Sequence, residues 1–156
     1  MTASELEQII RRKFVGSHRD SRRFIGDLPV GYLQGRKVAG SNIFDLSLNP
    51  EKGVDSHGRL VLGNHYHEIF DELFVLGRGR GIVVAQRVRS GEEHVELEFN
   101  SYNPEQRIIY LPREVAHVVA LEPGSFMVGY ILDAPEGFNP SDLANNIMYT
   151  LLEPVK

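Results

Sequence analysis

The spacing of apolar residues changes along this chain, and each change marks a different kind of element. Leu6, Ile9, Ile10 and Phe14 recur at helical spacing. Ser4 followed three residues later by Glu7 is a capping-box pattern, so a helix is predicted over 4–14. From about residue 24 the apolar residues fall into short runs broken by turn-formers. Strands are predicted at 43–48, 73–76, 82–85, 94–99, 107–111 and 126–132. The clearest alternation sets Val95, Leu97 and Phe99 against Glu96 and Glu98, a strand with one face in the core and one in water. Turn signals separate the runs, notably Asn49-Pro50, Gly77 to Gly81, Asn103-Pro104 and Pro123-Gly124. Near the end, Ser141 as cap, Asp142 in the first turn and Leu143, Ile147, Met148 and Leu151 as stripe predict a second helix over 141–152. Many short strands between two helices predict an all-β sandwich or barrel.

Composition narrows the class. With 156 residues, 42% hydrophobic and 24% charged, the sequence reads as one soluble domain over 1–156, its core spanning about 24–138. A net charge of −4 gives no reason to expect nucleic acid as a partner. No apolar run approaches the ~20 residues that span a bilayer, so no membrane partner is expected. Met1-Thr2-Ala3-Ser4-Glu5 lacks the basic-then-apolar layout of a secretory signal, and a cytoplasmic location is the expectation. The sequence has no cysteine, which excludes disulfides and thiolate ligands. Any metal would be held by nitrogen and oxygen.

His65 and His67 are candidates for that task. On an extended strand residues two apart share a face, so the two imidazoles point together and Tyr66 points away. Glu72 follows five positions on, and His117 lies about fifty residues downstream. Gly77, Gly79 and Gly81 precede a strand-like run and not a helix, which makes them a turn and not a phosphate loop. The basic stretch Arg11, Arg12, Lys13, Arg19, Arg22 and Arg23 could bind phosphate oxygens, but such runs are more often solvated. His94 and Glu96 read as exposed strand residues, and His18 and His57 sit in turn-like context.

The spacing of His65, His67, Glu72 and Gly79 resembles the first cupin motif, His-x-His followed by Glu and then Gly. Pro112 and His117 resemble the second, whose histidine is the fourth ligand. Glu114 stands where that motif usually has glycine, and Leu121 where it usually has asparagine. The resemblance covers residues 43–132. It implies a double-stranded β-helix, the cupin jelly-roll sandwich, with short flanking helices. It also implies a divalent metal on His65, His67, Glu72 and His117, for which zinc, iron, manganese and nickel are all suitable.

Two sugar-handling branches look nearest. Gly63-Asn64-His65-Tyr66-His67, the glycine-arginine run after Leu76 and Gln86 are similar to cupin-type phosphoglucose isomerases, as is Ile109 to Pro112 followed by Ala116-His117. Their threonine before the histidines is Leu62 here. Ala116-His117, Leu121, Tyr130 and Phe138-Asn139-Pro140 are similar to nucleotide-linked keto-sugar epimerases and isomerases. His65 aligns with the base of those enzymes, whereas their catalytic tyrosine falls near Phe138, which disfavours double epimerisation. The candidate catalytic residues are therefore His65 and Tyr130, with Gln86 a candidate pocket neighbour. The reading is a metal-dependent isomerase or epimerase on a small polar substrate, a sugar by resemblance. A non-catalytic ligand-binding cupin and an iron-dependent dioxygenase are the alternatives. The apolar stripe of the first helix further predicts a homodimer.

Overall fold

Strand alternation sorts the side chains between the inside and the outside of a sandwich. The computed structural model describes residues 2–12, 15–19, 24–27, 36–47, 53–89 and 93–155. After the helix α1 (Ala3–Ile10) come β1 (Arg11–Arg12), β2 (Val15–Arg19), β3 (Phe24–Asp27), β4 (Val38–Asp45), β5 (Leu60–Tyr66) and β6 (Asp71–Arg78). They are followed by β7 (Arg80–Arg87), β8 (Val95–Asn100), β9 (Ile108–Leu111), β10 (Val115–Leu121), β11 (Phe126–Leu132) and β12 (Ile147–Met148). One antiparallel sheet has the order β1-β9-β6-β11-β4 and the other β12-β5-β10-β7-β8, while β2 and β3 pair apart. The two sheets make the expected jelly-roll sandwich. In β8, Val95, Leu97 and Phe99 are buried and Glu96 and Glu98 exposed, as their alternation predicts. The glycine-rich run is the turn between β6 and β7. A Cβ on Gly79, at φ 107°, would collide with Ser125 Oγ, so this position needs glycine.

The core fills one end of the sandwich. Leu76, Leu97, Phe99, Ile109 and Leu121 pack there between the sheets, and α1 plugs that end with Leu6 and Ile10, both 0% exposed. The helix starts one residue earlier than predicted, and its cap lies two residues earlier. Thr2, not Ser4, is the cap, and its partner in the capping box is Glu5. It stops at Ile10 because the next two residues pair with Ile109 and Ile108 of β9, which satisfies their backbone better than a frayed last turn. Phe14, Lys13, Arg22, Arg23, Leu48 and the Asn49-Pro50 turn lie outside the described residues. Leu6 and Ile10 of the predicted stripe are thus covered by their own chain, and these two residues supply no argument for a homodimer.

The predicted helix over 141–152 does not form. Leu143–Asn145 make one 3-10 turn, capped by Asp142 and not by Ser141, and the chain then runs extended as β12. The supposed stripe is not a buried face, since Leu143 is 83% and Met148 73% exposed. Consecutive residues Leu151 and Leu152 instead cover Ile82, Val84, Val118 and Ala120 on the outer face of the second sheet. An isolated helix of this length is marginal in water, whereas the extended tail gains strand pairing and apolar contact together. Among the described residues no helix is long and apolar enough to cross a membrane.

Leu6→Ala should lower the unfolding free energy by about 2–5 kcal/mol through the cavity it leaves. Denaturant unfolding at several protein concentrations checks this. A loss that shrinks on dilution would mean that a partner covers the helix.

Candidate functional site

A single extra residue in β5 aims the histidines. Leu62 pairs with Val119 and Gly63 with Val118, but the next pair is His65 with His117, leaving Asn64 bulged out of the ladder. Leu62 faces the interior, so plain alternation would turn His65 outward. The bulge resets the parity, and His65 and His67 both face in. Gly63 and Asn64 have φ of 105° and 61°. A Cβ on Gly63 would lie 2.9 Å from His117 O, and asparagine tolerates the left-handed region better than most residues. Tyr66 points outward, its ring edge-on to Tyr149 with centroids 6.3 Å apart. Glu72 enters from β6 and His117 from β10.

The four side chains converge. Glu72 Oε1 lies 3.2 Å from His67 Nε2, and Glu72 Oε2 lies 3.4 Å from His117 Nε2. The His65 ring centroid is 4.7 Å from that of His67 and 4.9 Å from that of His117. His67 Nδ1 donates to Asn145 O at 2.8 Å and His117 Nδ1 to Val115 O at 3.1 Å. In the neutral form of each ring the proton is thereby placed on Nδ1, which turns an unprotonated Nε2 toward the carboxylate. Their approaches lack hydrogen-bond angles, so His67 Nε2, His117 Nε2 and Glu72 Oε2 are buried without a partner.

A buried carboxylate facing bare lone pairs needs positive charge beside it. Burial alone would push the Glu72 carboxyl up, and only charge carried by the facing His117 and His67 imidazoles would hold it below the usual carboxylate range; with both Nε2 atoms bare, a bound cation would supply that charge instead. His65 is only half-buried. Its burial, reinforced by the neighbouring His117 and His67 rings, pulls it down to about 4. Three imidazole nitrogens and one carboxylate fit a borderline divalent cation. Bonds of about 2.0–2.1 Å to a tetrahedral ion place ligand atoms about 3.3–3.4 Å apart; the two Glu72–imidazole distances are close to this, and the ligand atoms of the three histidines lie within 4.8 Å of one another.

Above the cluster lies a cavity of about 350 Å³. Phe44, Phe74, Val119 and Met127 give it apolar walls, and Asn42, Asn145 and Asn146 are its amide groups. Phe70 stacks on His67 with centroids 4.2 Å apart, and Phe138 packs edge-on against Phe70. The position that resemblance assigns to an epimerase tyrosine is therefore a phenyl ring packed on Phe70, which in turn stacks on His67.

Not every expected residue comes to the site. Met127 and Ile131 of β11 face the cavity, so Tyr130 takes the opposite face, packed with Leu73, Ile108 and Leu132. The pairing of Tyr130 with His65 as catalytic residues is corrected accordingly. Gln86 also faces outward, accepting from Tyr149 OH at 3.3 Å. Glu114 adopts φ 62°, the backbone that favours the motif's usual glycine, and donates its N–H to His67 O at 2.7 Å. Leu121, in place of asparagine, is fully buried core. Asn64, Phe70 and the Asn145 carbonyl escaped the sequence reading. The Gly63-Asn64 pair inside a strand was a visible bulge signal, but nothing in the sequence marks a backbone carbonyl.

Tyr130→Phe should leave the His65 and His67 NMR signals in place, because the lost hydroxyl is on the other side of the sheet. In metal-free protein the His65 ring should titrate near pH 4. An unfolded histidine takes its proton near 6.5, so between these values the unfolded chain binds more protons, and stability should fall as pH is lowered from 6.5 toward 4. Histidine NMR and denaturation across that range check both statements.

No family model matches the sequence, and no curated protein matches it. Solved structures do share its fold. A TDP-fucose-3,4-ketoisomerase from Campylobacter jejuni superposes with TM-score 0.58 at 8% identity, over 88% of this chain and 86% of that one. A 3′-monoepimerase from Streptomyces bikiniensis, in complex with dTDP-quinovose, gives 0.61 at 19% identity, over 87% of this chain and 66% of that one. The dTDP-6-deoxy-D-glucose-3,5-epimerase of Legionella pneumophila, in complex with dTDP-4-keto-L-rhamnose, gives 0.55 at 17% identity over 81% and 66%. The chain thus spans just under two thirds of the two epimerases and most of the ketoisomerase. At these identities the likeness is one of fold alone, a jelly-roll sandwich that this chain shares with these three structures.

Proposed function

We propose that this chain is a keto-sugar isomerase, moving a proton between adjacent carbons of a nucleotide-linked sugar. The observation that carries the reading is the set of three buried, unpartnered atoms, His67 Nε2, His117 Nε2 and Glu72 Oε2, beside the partly buried His65 imidazole that lines the cavity. The three atoms suit a divalent cation, and a cation there supplies charge that stabilises an oxyanion. His65, expected both as ligand and as base, is assigned the base because it is the least buried of the three histidines. The nucleotide-linked substrate is supported by the ligands named for the structures of the same fold, dTDP-quinovose and dTDP-4-keto-L-rhamnose.

The residues favour isomerisation over epimerisation. Inverting a carbon requires a proton from the face opposite the base. The described polar residues lining the cavity beyond the site cluster are amides, Asn42, Asn145 and Asn146, which do not donate protons in this way. His65 instead takes the proton from the carbon bearing the hydroxyl, and the electron pair moves through the new double bond onto the carbonyl oxygen. The same imidazole returns the proton to the former carbonyl carbon, while the hydroxyl proton passes to the oxyanion. A carbonyl has moved one position, with atoms and charge balanced. The apolar walls keep water from competing for that proton.

One observation favours a second reading. Two histidines and one carboxylate, His67, His117 and Glu72, are also the ligand set of non-haem iron oxygenases. Elemental analysis separates the two, since iron with oxygen consumption would support the oxygenase.

Purified protein should carry about one divalent ion per chain. His67→Ala should lose it with the fold intact, and His65→Ala should keep it while losing turnover. Loss of the ion from both variants would make His65 a ligand and remove it as base. In deuterated water a TDP-linked 4-keto-6-deoxy sugar should give an isomer carrying less than one deuterium at the new C–H, as one base returns part of its own proton. Absence of turnover on phosphorylated, free and nucleotide-linked sugars would overturn the reading.

A further inference from the structure

The segment 143–152 forms a strap from the cavity to the outer face of the second sheet, and one side chain clasps its far end. Asn64 is only 8% exposed. Its Oδ1 accepts from Leu151 N at 2.9 Å and from Leu152 N at 3.1 Å, and its Nδ2 donates to Leu152 O at 2.7 Å. Its main-chain oxygen accepts from Tyr149 N at 2.8 Å. Ile147 and Met148 pair with Tyr66 and His65. At its near end the strap presents Asn145 O to His67 Nδ1, and Asn145 and Asn146 line the cavity.

We propose that Asn64 is a positioning residue for His67, acting through the strap. The stack on Phe70, tilted by 27°, fixes the plane of the His67 ring but is indifferent to a half-turn within it. The Asn145 carbonyl makes the choice, since it accepts from Nδ1 and leaves Nε2 toward Glu72. A carbonyl can choose only if the strap holds it in place. The two apolar residues next to the clamp, Leu151 and Leu152, anchor the strap to the sheet, while the three Asn64 side-chain bonds fix its register. The residue that creates the bulge thus also governs a ring three residues further along the chain, about 10 Å of strand rise away. This inference rests on the proposed reading only in placing His67 in the site.

The two roles of Asn64 can be separated. Glycine adopts φ 61° without strain, so Asn64→Gly keeps the bulge and removes all three side-chain bonds. In the full-length metal-free variant, amides of 147–152 should exchange about tenfold or more faster, while Val118 and Val119 of β10 stay protected. Nitrogen NMR should show His67 pass from a single Nδ1–H tautomer to a mixture. A strap that loosens without any change in the His67 tautomer would overturn the proposal, as would a strap that does not loosen. Should Asn64→Gly fail to fold, Leu151→Ala with Leu152→Ala loosens the same strap with Asn64 intact. It is expected to produce the same mixture, and a single tautomer there would equally refute the idea. Neither readout uses turnover, so a failure of the isomerase reading is distinguishable from a failure of this one.

Discussion

A strand offers each side chain one of two faces, and every feature of the site follows from how this sandwich allots them. In β6 the inward face carries Glu72, Phe74 and Leu76, and the outward face carries Asp71 and Leu73. In β10 the inward set includes Val115, His117 and Val119. Regular pleating suffices for both. Only β5 needs an irregularity, since Leu62 and His65 must share a face across an odd interval, and the bulge at Asn64 provides it. A one-residue slip would send both imidazoles to the outer face.

The sandwich divides its interior between stability and chemistry. One end is filled by aliphatic and aromatic side chains and closed by Leu6 and Ile10 of α1. The other holds a carboxylate and three imidazoles under an open cavity. Such a group of polar atoms, partly without hydrogen-bond partners, is costly to bury. It is supported by neighbours that fix each ring, the Asn145 and Val115 carbonyls on Nδ1 and Phe70 on the face of His67. These supports come from the C-terminal strap, β10 and the loop before β6, so the geometry of the site is a property of the closed sandwich.

The outer end of β6 shows the same economy of placement. Asp71, next to Glu72 but on the other face, accepts from the Tyr110 hydroxyl, Arg36 and Arg113, and Arg36 also reaches Asp133. These hydrogen bonds, with burial opposing them, hold the Asp71 carboxyl below its ordinary range. Two adjacent carboxylates therefore have opposite surroundings, one in a network of cations and a hydroxyl and one among imidazoles.

Local pattern was enough for the strands whose two faces differ in polarity. The run 126–132 is a strand with the predicted bounds, and β8 alternates as read, because burial of every second residue leaves a period of two in the sequence. The spacing of His65, His67, Glu72 and His117 likewise brought four side chains to one place, at intervals the pleat and its one bulge permit. Other features depend on partners distant in the chain. Leu143, Ile147, Met148 and Leu151 carry a helical period, yet the free edge of β5 and the apolar outer face of the second sheet made the extended form better. Tyr130 looks like any strand tyrosine until its neighbours Met127 and Ile131 are seen to occupy the cavity. The proton on His67 is set by a main-chain oxygen 78 residues away, and only the folded chain brings the two together.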